Sequence, residues 1–162
     1  MATHTKRTDR EAIVLYDASI DKMGDDTVMR GWIGSEQLHL LQVDDYQREL
    51  RSSGELSDMV GAVRRGVRLP DAELNMRGNN FAQGKNNTYL LYGIVVIVDG
   101  QQRCESIIQA CKQQLGLTPR YGCLIHIGKT PEWEWDRFET VNLKQKHVTR
   151  QVLLRTRARK GN

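Results

Sequence analysis

The chain has 162 residues and a formal net charge of +4, and its 39 % hydrophobic and 27 % charged residues are typical of one soluble globular domain. The longest apolar run, Leu90 to Val98, is far shorter than the roughly 20 residues that cross a bilayer, so we expect no membrane-spanning segment. The three cysteines lack metal-ligand spacing and no apolar segment follows residues 1–10, which favours a cytoplasmic protein.

Short apolar stretches near the start of the chain predict strands. Residues 1–10 are polar and are expected to form a disordered tail, and a polar turn with a glycine is expected at residues 21–26. The three predicted strands are Ala12–Tyr16, Trp32–Ile33 and Leu38–Val43.

A helix is predicted next, because Ser52 and Glu55 have the spacing of a capping box and the following apolar residues recur at helical intervals. Gly66 is expected to end this helix. Beyond Pro70 we predict a strand over residues 72–76, and then a flexible loop rich in Gly and Asn over residues 77–88.

The most informative feature is a buried strand that runs into a polar turn and then into a helix. Leu90–Val98 is apolar throughout, as expected of a central strand that is covered on both faces. The turn is Asp99-Gly100-Gln101-Gln102-Arg103, and Gly116 is expected to end the helix that follows. The predicted inward face of this helix contains Cys104, Ile107, Ile108, Cys111 and Leu115.

The remaining elements are a strand at Gly122–Ile127 and a helix that begins with Thr130 as its cap and Pro131 in its first position. A last helix is expected at Val148–Arg155. The residues of the helix after Thr130 that we expect to face inward are Trp135, Phe138 and Val141.

The Asp-Gly-Gln-Gln-Arg turn has the chemistry of a phosphate site. Free N–H groups at a helix N-terminus attract anions, and Arg103 can bind two oxygens at once. Asp99 can hold a metal ion, Gln101 and Gln102 can donate and accept hydrogen bonds, and Gly100 lets the backbone approach a ligand. The simpler alternative is an ordinary helix start with Asp99 as its N-cap.

The basic excess of the chain lies in residues 142–162, which contain seven Lys and Arg residues and no acid. Such a segment predicts DNA binding through backbone contacts, and the alternative is a solvated helix with a solubilising end. We expect one domain over residues 11–155 and a basic tail over residues 156–162. The predicted DNA-binding residues are Lys144, Lys146, Arg150, Arg155, Arg157, Arg159 and Lys160.

Three segments in order resemble a known family. They are Tyr46-Gln47-Arg48 ahead of a helix, the strand that ends in the Asp-Gly-Gln-Gln-Arg turn, and Phe138-x-x-Val141-Asn142. They resemble the DGQHR-domain group, with its DndB-like and GmrSD-like members, in the ParB/sulfiredoxin-like superfamily, and the resemblance covers residues 38–155. It implies an α/β (α+β) fold, a ParB/sulfiredoxin-like mixed sheet flanked by helices. Gln102 stands where that group has histidine.

The resemblance also implies a role in DNA modification, restriction or phage counter-defence. One alternative is an Mg²⁺-dependent NTPase that binds a nucleoside triphosphate, with Asp99, Gln101 and Arg103 as catalytic residues and Asp99 as the metal ligand. The other is a non-catalytic DNA-binding regulator that uses the same pocket for phosphate. The residues implied to bind the nucleotide or its phosphates are Arg48, Gly100, Gln102 and Asn142. DNA and proteins of a modification or restriction system are the expected partners, and a homo-oligomer is left open.

Two other kinds of residue are weaker candidates. His126 lies within a predicted strand, where a hydrogen-bonded structural histidine is expected more often than a catalytic one. Trp32, Trp133 and Trp135 can stack nucleic-acid bases, although packing is the commoner role.

Overall fold

The computed structural model describes residues 11–44 and 53–141. A 3-10 helix, Ser35–Leu40, lies between the second strand and the first α-helix. In chain order the other elements are β1 (Ile13–Met23), β2 (Asp26–Gly34), α1 (Ser53–Arg64), β3 (Ala72–Met76), β4 (Phe81–Gln83), β5 (Tyr89–Leu91), β6 (Val95–Asp99), α2 (Gln101–Gln113), β7 (Arg120–Ile127) and α3 (residues 131–141).

The strands form one seven-stranded sheet in the order β4-β5-β1-β2-β7-β3-β6. The sheet is mixed, because β3 runs parallel to β7 while the other neighbouring strands are antiparallel. β1 pairs with β5 through its first residues and with β2 through the rest, and a register shift between Tyr16 and Ser19 interrupts its pairing with β2. The predicted α+β class, with a mixed sheet flanked by helices, is confirmed.

One face of the sheet builds the hydrophobic core. Met29, Leu74 and Ile125 lie side by side on β2, β3 and β7, and all three are fully buried. Helices α1 and α2 cover this face and bury Val63 and Cys104 in the same cluster. Because side chains alternate along a strand, the intervening residues of these strands lie on the opposite face.

The opposite face carries polar and aromatic side chains, and we call it the polar face. Helix α3 covers its β3–β7 part, where the Trp133 ring centre lies 4.5 Å from that of His126. On its β2 part, by contrast, Arg30 is exposed. The register places on this face Arg30, Trp32, Glu73, Asn75 and His126.

The prediction of a strand at Leu38–Val43 is wrong. Residues 35–40 form the 3-10 helix, and beyond it Gln42 joins the sheet through an isolated bridge to Val96. Leu38 and Leu40 are buried, so the apolar character of the segment reflects core packing. A short apolar run does not distinguish a strand from a buried helical turn.

The prediction of one central strand at Leu90–Val98 is also wrong. The run contains β5 and β6, which lie near opposite ends of the sheet. Gly93 separates them, and a Cβ at this position would lie only 2.7 Å from the carbonyl oxygen of Arg77. Strand β6 is apolar because it is buried, although it is the last strand of the sheet.

Smaller differences concern element ends. The turn predicted at residues 21–26 is narrower, because β1 continues to Met23, and the loop predicted at residues 77–88 contains β4. Leu115 is 96 % exposed because it lies beyond the end of α2, and Trp135 is 43 % exposed because Glu134 takes the buried position on α3. Ser52 and the helix predicted at residues 148–155 lie outside the described residues. No helix in the described part of the chain is long and apolar enough to cross a membrane.

Candidate functional site

The Asp-Gly-Gln-Gln-Arg turn lies where β6 ends and α2 begins. Asp99 is the last residue of β6, and Gly100 is the N-cap of α2 with a φ of 110° and a ψ of 17°. The alternative of Asp99 as the N-cap is therefore wrong. The start of α2 has no side-chain cap and no acid in its first turn.

The guanidinium of Arg103 is held by three groups around this turn. Its Nε donates to the Tyr121 hydroxyl at 2.8 Å, and its Nη2 donates to Asp99 Oδ2 at 3.0 Å and to the carbonyl oxygen of Asp71 at 3.3 Å. The side chains of Arg103 and Asp99 are 15 % and 20 % exposed. Arg103 therefore ties the start of α2 to β6, β7 and the loop before β3.

Charge and burial fix the protonation of this cluster. Burial alone would lower the pKa of Arg103, but the hydrogen bonds to Tyr121 and Asp99 and the negative charge of Asp99 outweigh it and raise the pKa. Burial raises the pKa of the Tyr121 hydroxyl and raises the pKa of the Cys104 thiol to about 12. Arg103 is thus a permanent cation, Tyr121 is neutral at physiological pH, and Cys104 is an inert thiol.

Glycine is required at position 100. A Cβ there would lie 3.0 Å from the Tyr121 hydroxyl and 3.1 Å from Arg103 Nη2, and the left-handed φ strains any other residue. We expect Gly100→Ala to lower the free energy of unfolding by about 1–3 kcal/mol in urea titrations. Gly116→Ala is the control, because Gly116 has a φ of 83° but open space around it. Equal losses in the two variants would contradict crowding at Gly100.

The structure brings together only part of the predicted site. Asp99, Gly100 and Arg103 lie together, and Gln101 and Gln102 are half-buried in the first turn of α2. Arg48 and Asn142 lie outside the described residues, so their approach to Arg103 stays a prediction. All seven predicted DNA-binding residues also lie outside the described residues, namely Lys144, Lys146, Arg150, Arg155, Arg157, Arg159 and Lys160.

The described residues do not fit a metal site at the turn. The Asp99 carboxylate accepts a hydrogen bond from Arg103. Glu73 pairs with Asp99 in the β3–β6 ladder, and its carboxylate is hydrogen-bonded to His126 and Arg137. Among residues 11–44 and 53–141, no three His, Cys, Asp or Glu side chains converge to hold a metal ion. Magnesium and nucleoside triphosphate therefore stay predictions from the resemblance.

A second polar cluster lies beside the turn, under α3. Glu73 Oε1 accepts from Arg137 Nε at 2.6 Å and lies 2.8 Å from His126 Nε2. Burial alone would raise the pKa of Glu73, but the hydrogen bonds and charges of His126 and Arg137 outweigh it and lower the pKa. His126 is hydrogen-bonded to Glu73 within the sheet, which is the arrangement expected of a structural histidine.

The same cluster continues along β3 to a fully buried carboxylate. Glu134 accepts from Asn75 Nδ2 at 2.6 Å and from Arg77 Nη2 at 2.7 Å, and Arg77 Nη2 also donates to Asp44 at 2.7 Å. These groups join α3 to the sheet by ion pairs rather than by apolar packing. These ion pairs were not predicted from the sequence, although every second residue from Glu73 to Arg77 is polar.

A third feature is a shallow cavity on the part of the polar face that α3 does not cover. Its volume is about 220 Å³. Arg68 lies over the Trp32 ring at 4.6 Å and pairs with Asp71 at 3.1 Å. Since the carbonyl oxygen of Asp71 accepts from Arg103, the loop at residues 68–71 connects this cavity to the turn. The side chains that line it include Ser19, Arg30, Trp32, Arg68 and Asp71.

No protein-family model, curated protein or solved structure matches the chain. The resemblance to the DGQHR-domain group therefore rests on the three quoted segments alone.

Proposed function

We propose that this protein is a non-catalytic, DNA-linked regulator that recognises phosphate at the Asp99–Arg103 turn. Its context would be DNA modification, restriction or phage counter-defence, and its fold would be the ParB/sulfiredoxin-like one. The observation that carries the proposal is an uncapped helix N-terminus with an oriented arginine in its first turn. The modification and defence context comes from the resemblance.

The N-terminus of α2 and the Arg103 guanidinium would both attract an anion at the turn. The first-turn amides of α2 have no acceptor within the helix, and the helix dipole adds partial positive charge there. Arg103 is a cation at a position where the dipole disfavours cations, and an anion at the turn would compete with Asp99 for its guanidinium. An anion at the turn would be attracted by both groups. In contrast, α3 is capped by Thr130, which accepts from the amide of Trp133 at 3.2 Å.

Binding is better supported than catalysis because of the state of Asp99. Asp99 Oδ2 already accepts from the Arg103 guanidinium, so a metal ion or a reacting proton at this carboxylate would compete with the arginine. Gln102 cannot act as a general base, unlike the histidine of the DGQHR group. These two features favour the non-catalytic alternative over the NTPase.

Calorimetric titration with each of the four nucleoside triphosphates, with and without Mg²⁺, tests the proposal. We expect binding of at least one nucleotide, and we expect Arg103→Ala to weaken it by about 1.5–3 kcal/mol, the contribution of a charge-assisted contact. Lys112→Ala is the control, because it removes one charge from the last turn of the same helix. Thermal unfolding of each variant identifies losses caused by misfolding.

Two results would count against the proposal. If no nucleotide and no inorganic phosphate binds, or if Lys112→Ala weakens binding as much as Arg103→Ala, the turn is a structural helix start. Phosphate release by the wild-type protein that is lost in Asp99→Ala would instead establish the NTPase alternative.

A further inference from the structure

The part of the polar face that α3 does not cover carries two arginine–aromatic pairs next to each other. The Arg68 guanidinium lies 4.6 Å from the centre of the Trp32 ring, and the Arg120 guanidinium lies 4.2 Å from the centre of the Tyr16 ring. Tyr16 and Trp32 are partners in the β1–β2 ladder, so their side chains project next to each other from neighbouring strands. The two arginine–aromatic pairs therefore lie next to each other on this part of the polar face.

The backbone under this surface is shaped to hold it. Trp32 is the ladder partner of Gly122 on β7, and a Cβ at position 122 would lie 3.3 Å from the Trp32 ring and would collide with the Asp71 carboxylate. Glycine thus leaves room for the ring and for Asp71, which fixes Arg68 through an ion pair of 3.1 Å. The ring of Trp32 is held from below while Arg68 remains 65 % exposed above it.

The charge of this surface is positive. Asp71 pairs with Arg68, and Asp17 lies 3.7 Å from Arg120. Arg30 adds a third guanidinium, two residues from Trp32 on the same face of β2, and it is exposed. Within the described residues no carboxylate lies at ion-pair distance from Arg30. Three cations against two acids leave a net positive charge for an anionic ligand.

We propose that this surface, made of Tyr16, Arg30, Trp32, Arg68 and Arg120, binds single-stranded nucleic acid. Guanidinium planes and aromatic rings are the groups on which unpaired bases stack, and an unpaired arginine beside them can bind the phosphate backbone. A duplex keeps its bases stacked on each other and offers no free base faces to such a surface. An acidic peptide would match the charge but has no planar groups for the two stacks.

This site is separate from the proposed phosphate site, because Arg103 and the start of α2 contribute no side chain to it. Fluorescence anisotropy of the full-length protein with a labelled oligodeoxythymidylate, and with a duplex of the same length, tests the proposal. We expect Trp32→Leu to weaken binding of the single strand about 5- to 150-fold and to leave duplex binding unchanged. Leucine keeps an apolar cover on Gly122, and Trp32→Phe should retain most of the affinity because it keeps a ring.

Two matched controls separate the surface from other parts of the chain. Trp135→Leu removes a tryptophan that is 43 % exposed on α3, and Lys112→Ala removes an exposed cation on α2; neither should change single-strand affinity. Arg30→Ala should reduce the dependence of log K on log salt by about one unit, the change for one phosphate contact. If Trp32→Leu fails to fold, the Arg30→Ala variant still tests the proposal, because the Arg30 side chain has no ion-pair or hydrogen-bond partner among the described residues.

Several outcomes would overturn the proposal. One is unchanged single-strand affinity in folded Trp32→Leu, and another is an unchanged salt dependence in Arg30→Ala. Equal loss of single-strand and duplex binding in Trp32→Leu would assign the effect to general electrostatics. Displacement of the oligonucleotide by polyglutamate at an equal charge concentration would assign the surface to an acidic protein segment. Loss of nucleotide binding in Arg103→Ala, by contrast, concerns only the turn.

Discussion

Replacing Glu134 with alanine should lower the free energy of unfolding by about 3–5 kcal/mol, the effect of breaking a buried ion pair. The Glu134 side chain is fully buried, and its two oxygens accept from Asn75 and Arg77. Without it, the Arg77 guanidinium, which is 26 % exposed, loses the partner that raises its pKa most and keeps Asp44, at 2.7 Å, as its remaining charged partner. Removing one partner of a buried ion pair costs more free energy than losing a contact between exposed groups.

Urea unfolding, followed by far-ultraviolet circular dichroism, measures this loss. Glu139→Ala is the matched control, because Glu139 is an exposed glutamate on the same helix and its replacement should change stability by less than about 0.5 kcal/mol. The double variant Arg77→Met/Glu134→Leu should recover part of the lost stability, since neither buried partner remains and Asp44 keeps its hydrogen bond from Gln42 at 3.1 Å. A loss below about 1 kcal/mol in Glu134→Ala would contradict an essential role of the ion pairs in attaching α3.

The ion pairs under α3 explain why the sequence predicted the fold class better than the packing of α3. Alternation of polar and apolar residues in β3 indicates one core face and one solvent face, and the core face is as expected. The polar face of β3 is covered by α3, and the contacts that cover it join residues far apart in the chain, such as Arg77 and Glu134. No local pattern identifies such a pair.

The division of the apolar run at residues 90–98 shows a different limit. Gly93 was a visible signal, since glycine within a strand pattern often marks a bend or a close approach of backbones. This glycine does not indicate which positions β5 and β6 take in the sheet. Their placement near opposite ends of the sheet depends on pairing with β1 and β3, which are distant in sequence.

The candidate turn was predictable in position but only partly in its contacts. The spacing of Asp99 and Arg103 is that of an i,i+4 pair, so their ion pair could have been predicted from the sequence. The other two partners of Arg103 are Tyr121 and the carbonyl of Asp71, which lie 18 and 32 residues away. These long-range contacts orient the arginine, and they follow from the sheet order rather than from any local motif.

Duplex DNA binding by the full-length protein should depend steeply on salt because of the basic residues in 142–162. If four to seven of the seven cations contact phosphates, the slope of log K against log salt should be about −4 to −6, at roughly 0.9 per phosphate. Between 50 and 200 mM salt the affinity should then fall roughly 10²- to 10⁴-fold. Anisotropy titrations at several salt concentrations measure the slope.

Neutralising part of the segment should show whether its charge causes this dependence. A full-length variant with Arg155, Arg157, Arg159 and Lys160 replaced by glutamine loses four of the seven cations, so the slope should flatten by about half. Deletion of residues 155–162 should have the same effect if charge rather than length is responsible.

A matched variant with Lys6, Arg7 and Arg10 replaced by glutamine should keep the wild-type slope. Nucleotide binding at the Asp99–Arg103 turn should survive each change, because the turn lies elsewhere in the chain. An unchanged slope in the first variant, or a wild-type slope near zero, would contradict the interpretation and leave these cations as a solubilising end.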